Sequence, residues 1–151
     1  MRRASLFIAF AAAFPALCWS GVATAAVASC TVSTTSVAFG AYDPQSSTAL
    51  DGVGSVKTVC NSSTTSASIA ISAGNSGVFT TRTMKSGIYN LNYNLYTATT
   101  RTVIWGNGTT GNSTKSVGAG TVTSTVYGRI TAQQNVGAGT YTDSLTVTVT
   151  F

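Results

Sequence analysis

Histidine and glutamate are both missing from this chain: it has no His, and its three acidic residues are Asp43, Asp51 and Asp143. A nucleophilic Ser or Thr needs a base to take its proton, so the abundant hydroxyls here have only an Asp or a Lys to turn to. Asp43-Pro44 and Asp51-Gly52 are turn pairs, and Asp143 follows a Gly-rich turn, so all three read as structural. A two-carboxylate site for glycoside hydrolysis would need two of them to converge, and nothing in their spacing suggests it. Two late cysteines 30 positions apart, with no His, make a poor zinc set. The expectation is a protein that is no enzyme and holds no cofactor and no metal.

Charge is scarce as well. Only 7% of residues are charged, against about 25% in an average domain. Apart from Arg2 and Arg3, the cations are Lys57, Arg82, Lys85, Arg101, Lys115 and Arg129, spread along the chain without a basic cluster. That argues against a nucleic-acid partner. Long apolar runs are also lacking, and none approaches the ~20 residues that a spanning helix needs. The run from Leu6 to Leu17, broken by Pro15, follows Arg2 and Arg3 and precedes Ala23-Thr24-Ala25. That is the order of an export leader with an A-x-A cleavage site. Residues 1–25 are therefore expected to be removed, leaving 26–151 as one domain.

The leader explains an odd cysteine count. Of three cysteines, Cys18 falls inside it, and Cys30 and Cys60 remain. In an oxidising compartment two thiols most simply form one disulfide. A second reading stays open, because "VASC", Val27 to Cys30, fits a lipobox in which Cys30 is acylated. Against it, the apolar run ends well before Cys30, and Cys60 would be left without a partner.

What is present points to β-structure. Thr, Val, Ser, Gly and Tyr dominate, and no segment sustains a 3.6-residue period. In "LTVTVTF", Leu145, Val147, Val149 and Phe151 share one face and three Thr the other. Similar alternation marks Ala67–Ile71 and Leu91–Tyr96, and further strands are expected at 31–39, 53–59, 103–105, 120–123 and 126–131. Residues 106–120 read as a long mobile loop. Short strands with one apolar and one hydroxyl-bearing face suggest a β-sandwich. An outer-membrane barrel would need apolar outward faces, where Thr and Asn stand here. Trp105, beside a Gly turn, reads as core packing, with sugar stacking as the alternative. Sequons at Asn61, Asn107 and Asn112 are expected by chance in so Asn- and Ser/Thr-rich a chain.

A set of segments carries more. "ASCTVSTTSVAFGAYDP", "GVGSVKTVCNSS", "ISAGNSG", "RTMKSG", "LNYNLYTATTRTVIWGNG" and "VYGRITAQQNVGAGTYTDSLTVTVTF" together cover nearly all of residues 28–151. In that order they resemble the spore coat protein U domain family, which includes subunits of archaic chaperone–usher pili of Gram-negative bacteria. The resemblance implies an immunoglobulin-like β-sandwich lacking one strand. A periplasmic chaperone fills the gap first, and the N-terminal extension of the next subunit fills it later. It also implies a Cys30–Cys60 disulfide tying the first strand to the second. Tyr93, Leu95, Trp105, Val126, Ile130, Leu145, Val147 and Val149 would be core. Arg82, Asn94, Arg129 and Asp143 would make buried or turn hydrogen bonds.

The expected function follows from the resemblance: an exported structural or adhesive subunit of a chaperone–usher fimbria, with a periplasmic chaperone, an outer-membrane usher and other subunits as partners. The alternating C-terminal strand fits it in part, because an uncovered apolar edge is a hazard for a lone domain. The N-terminus departs from the family pattern. Cleavage after Ala25 leaves only "AVAS" before Cys30, which spans at most about 14 Å. So short a segment makes a poor donor, and a place at the fibre tip is expected. The alternatives are a self-standing coat or matrix protein, and a small carbohydrate-binding module using Trp105 and nearby tyrosines.

Overall fold

The structure is a computed structural model and describes residues 26–151; the expected leader and Cys18 lie outside the described residues. Among the described residues eight strands form two sheets. They are β1 (Cys30–Ala38), β2 (Leu50–Cys60), β3 (Ala67–Ile71), β4 (Arg82–Ser86), β5 (Tyr89–Tyr96), β6 (Lys115–Val117), β7 (Gly120–Ile130) and β8 (Val147–Thr150). The larger sheet has the order β1-β2-β7-β5-β4 and the smaller β6-β3-β8.

β2 and β7 form the spine of the larger sheet. They pair antiparallel without a slip from Leu50↔Ile130 to Cys60↔Gly120. Their inward side chains alternate with exposed ones, as a half-buried sheet requires. Val56, Val126 and Ile130 on these strands meet Ile69, Ile71, Leu91, Tyr93, Leu95 and Trp105 in one core. The far edge of the sheet is covered, since β4 exchanges backbone bonds with the passing chain through Lys85 and Thr142 at 2.8 and 3.1 Å.

The structure departs from the sequence reading in four places. Residues 120–130 are one strand, not two, because Ser124 is small enough to point inward between flanking apolar positions. Residues 106–120 are not one loop: they hold β6, and the turn before it is tied by Asn107 and Asn112, whose side chains accept bonds from Thr109 N and Gly108 N. The expected strand at 103–105 makes only isolated bridges, Tyr96↔Ile104 and Trp105↔Ser113. β4, absent from the expectation, is the partner of β5 in a hairpin turned at Gly87, whose φ of 56° suits glycine.

β1 changes course midway. It pairs with β2 from Cys30↔Cys60 to Thr35↔Ser55, then the register breaks before Ala38↔Val53. Beyond the break Val37 and Phe39 lean over a recess in the sheet made by Gly52, Gly54 and Gly128. A Cβ on Gly128 would stand 2.5 Å from the Phe39 ring, and one on Gly54 2.9 Å from Val37. The Phe39 ring meets Tyr93 edge-on at 5.9 Å.

Candidate strand-acceptor groove

Two strand edges face each other across the open side of the sandwich. On β1, Asn61 N donates to Ser29 O at 3.0 Å, so that pair turns its backbone groups toward each other. Antiparallel ladders alternate, which makes Thr31, Ser33 and Thr35 the residues bonded to β2. Cys30, Val32 and Thr34 then direct N–H and C=O away from β2, to the open edge. Their side chains lie across from Cys60, Thr58 and Val56, all buried, and so point inward.

The other edge is β8 with the residues before it. Ser72 N donates to Thr146 O at 2.9 Å, while Ile71 N turns away to Gly106 O at 3.1 Å. Thr146, Thr148 and Thr150 are thus the residues bonded to β3, and Leu145, Val147 and Val149 carry their N–H and C=O on the free side. Among the described residues no strand pairs with either outer edge.

Between the edges lies a cavity of about 730 Å³. Val56, Ile71, Leu95 and Val126 form its floor, and Val32, Thr34, Leu145 and Val147 its walls. Phe39, Tyr93 and Tyr141 stand at one end with Asp143, its single charged group. Asp143 is already engaged: Oδ1 accepts from Asn75 N and Ser144 N at 2.8 Å each, and Oδ2 from the Tyr93 hydroxyl at 2.6 Å. Burial, then the bond to Asp143, pushes the Tyr93 phenol well above its ordinary pKa. Gly74 packs against the Asp143 carboxylate, where no Cβ would fit.

Behind the floor Arg82 locks the two sheets together. Its Nε donates to Ser72 O at 3.0 Å, Nη1 to Asn94 Oδ1 at 2.7 Å, and Nη2 to Trp105 O at 2.7 Å and Ile71 O at 3.3 Å. Burial pushes the guanidinium pKa down. Asn94 completes the knot by donating to Phe79 O and Thr80 O at 2.9 and 3.0 Å.

The residues singled out from sequence fall into distinct places. Cys30 and Cys60 are bonded at 2.05 Å, which leaves no thiol at Cys30 for a lipid. Tyr93, Leu95, Trp105, Val126 and Ile130 are buried. Leu145, Val147 and Val149, expected in the core, are only half-buried, because no strand among the described residues covers their outer edge. Trp105 is fully buried and its indole N–H donates to Ile69 O at 2.9 Å, so it cannot stack on a sugar. Arg129 is neither buried nor in a turn: it lies on the outer face of the larger sheet and grips Asp51. Among the described residues no three His, Cys, Asp or Glu side chains gather, and no helix is long and apolar enough to cross a membrane. Val32, Thr34, Val37 and Phe39 were not expected at the groove, since hydroxyls and a broken register hide the inward period of β1.

The family profile of the Spore Coat Protein U domain matches residues 18–148. This chain belongs to the Spore Coat Protein U domain family. A curated relative, Protein U of Myxococcus xanthus, is 34% identical over 126 residues, covering 75% of this chain and 70% of the relative. Among solved structures, a chain of the CsuC–CsuE chaperone–tip adhesion subunit pre-assembly complex, from the archaic chaperone–usher Csu pili of Acinetobacter baumannii, superposes with a TM-score of 0.61 at 21% identity. The match covers 83% of this chain and 40% of that one. The fold of this Spore Coat Protein U domain is thus the immunoglobulin-like sandwich of pilus subunits.

Proposed function

We propose that this chain is an exported structural or adhesive subunit of an archaic chaperone–usher fimbria, completed by a strand from another polypeptide. The observation that carries the reading is the groove: the residues with free backbone groups on both edges are those whose side chains point inward. A strand laid between β1 and β8 would bond to both edges and bury every second side chain over the floor, which is β-augmentation. Family membership and the likeness in fold to a chain of a chaperone–subunit complex support the same reading. On it, the partners are a periplasmic chaperone, an outer-membrane usher and other subunits, and the destination is the cell surface.

On this reading the chain accepts a strand but donates one poorly, and the position proposed for it is the fibre tip. After the expected cleavage only Ala26–Ser29 precede β1. Val27 and Ser29 are already bound at Asn61, through Asn61 Nδ2 to Val27 O at 2.8 Å and Ser29 N to Asn61 Oδ1 at 3.2 Å.

Coexpression with the cognate chaperone and a polymerising subunit tests both parts. The wild-type chain should co-purify with the chaperone and label only fibre ends in immunogold microscopy. Labelling along the shaft would refute the tip assignment. Val149→Pro removes a free-edge N–H and spares the β3 ladder, and edge strands tolerate proline. It should abolish the chaperone complex, and a Val149→Pro chain that still binds the chaperone would sink the acceptor reading. Soluble wild-type monomer made in full yield without a chaperone would favour a self-standing coat protein instead.

A further inference from the structure

On the outer face of the larger sheet, away from the groove, Arg129 and Arg101 converge on one carboxylate. Arg129 Nε meets Asp51 Oδ1 at 2.7 Å and Nη2 meets Oδ2 at 2.9 Å, while Arg101 Nε reaches Oδ1 at 3.2 Å. Two guanidiniums on one carboxylate leave one positive charge in excess. Arg101 is spent on structure: it also donates to Gly128 O and Thr99 O and lies 5.8 Å from the Tyr127 ring. Arg129 keeps Nη1 unengaged among the described residues, and its side chain is 39% exposed.

Arg129 lines a cup of about 210 Å³ together with Thr80, Thr81, Asn92, Tyr96 and Thr131, and with Tyr93 and Asn94, whose side-chain ends are already engaged by Asp143, Arg82 and two carbonyls. Three threonine hydroxyls, the Tyr96 phenol, the Asn92 carboxamide and the Arg129 guanidinium belong to the residues that line it. Among the described residues none of the five uncharged side-chain ends bonds to a protein group; Asn92 and Thr131 use only backbone atoms. We propose that this cup binds a single saccharide unit bearing an anionic group, a carboxylate or a sulfate. The hydroxyls, phenol and amide match the alternating donors and acceptors of a sugar ring, and the Arg129 fork matches the anion. A bare anion would use the guanidinium and leave the other five groups unused. Apart from Tyr93 the cup shares no lining residue with the strand-acceptor groove, so the proposal does not depend on that reading.

The test is a ¹H–¹⁵N NMR titration of the purified full-length protein with sodium glucuronate, glucose and sodium sulfate. Glucuronate should give saturable shifts at Asn92, Tyr96 and Arg129, with glucose and sulfate about tenfold weaker or more, the size of one lost charge-assisted bond. Tyr96→Phe, which spares the Asp51 pair, should weaken glucuronate at least about threefold with the rest of the spectrum unchanged. Arg129→Gln should erase the preference for glucuronate over glucose. Equal binding of glucose and glucuronate, sulfate binding as tightly as glucuronate, an unaffected Tyr96→Phe, or no shifts at all would each overturn the proposal.

Discussion

Arg82 is a fully buried cation whose guanidinium is met by three carbonyls and one amide oxygen. Arg82→Met should lower unfolding stability by about 3–5 kcal/mol, because four acceptors lose their donor in a dry interior. Urea denaturation would show it as a lower midpoint. Asp51 gives a pH signature. The hydrogen bond from Arg129 holds its carboxyl below the ordinary 3.8, against a smaller opposing effect of burial and with lesser help from the charges of Arg129 and Arg101. A carboxyl depressed by folding stabilises at pH above its unfolded value and stops doing so as pH falls through its folded one. The pair is exposed, so the gain is at most about 1 kcal/mol. Asp51→Asn should therefore be slightly less stable than wild type at neutral pH and equal to it near pH 2, within about one unit. Tyr93 has the opposite sense. Its raised phenol contributes stability below the ordinary 10.0 and loses it as pH climbs beyond. Tyr93→Phe should lose the bond to Asp143 at neutral pH and flatten the alkaline limb of a thermal-stability profile.

At the scale of elements, the bend of β1 depends on bare backbone. Gly52, Gly54 and Gly128 leave a hollow that Val37 and Phe39 fill. Gly128→Val should push the Phe39 ring out of its seat and cost about 1–3 kcal/mol, as overpacking does. A lost near-ultraviolet dichroism band and a lower melting temperature would report it; an unchanged melting temperature would mean that β1 is not held there. Such packing marks the limit of what a sequence discloses. The alternation in β3, β5 and β8 is plain, since each keeps apolar residues in phase, and with the leader set aside a Cys30–Cys60 bond is the simpler of the two readings of Cys30. β4 is hidden because its inward residues are Arg82 and Met84, and an arginine is not read as core. Ser124 and Thr125 look like a break in β7 and are not one. The groove walls of β1 are Val32 and Thr34, too weak a pattern to announce an interior. Arg101 and Arg129 lie 28 positions apart, and only the sheet brings both onto Asp51.

For the whole molecule, an open sandwich should gain stability from any strand that closes it. A peptide of alternating apolar residues that fits the groove, held at 100 times its dissociation constant, should add about 2.7 kcal/mol by mass action. Calorimetry with and without the peptide would show the shift, and a scrambled peptide should give none. Reduction of Cys30–Cys60, which closes a loop of 30 residues, should cost about 3–4 kcal/mol on the chain-entropy account. The placement of that bridge has a mechanical consequence. Chain leading into the domain arrives through Val27–Ser29 at Asn61 and meets the disulfide at the first residue of β1. Tension applied from that side passes through a covalent link into β2, the spine of the larger sheet, before it can peel a single β1 hydrogen bond. In a pulling experiment the oxidised domain should resist as a sheared sheet, whereas the reduced domain should unzip β1 residue by residue at much lower force.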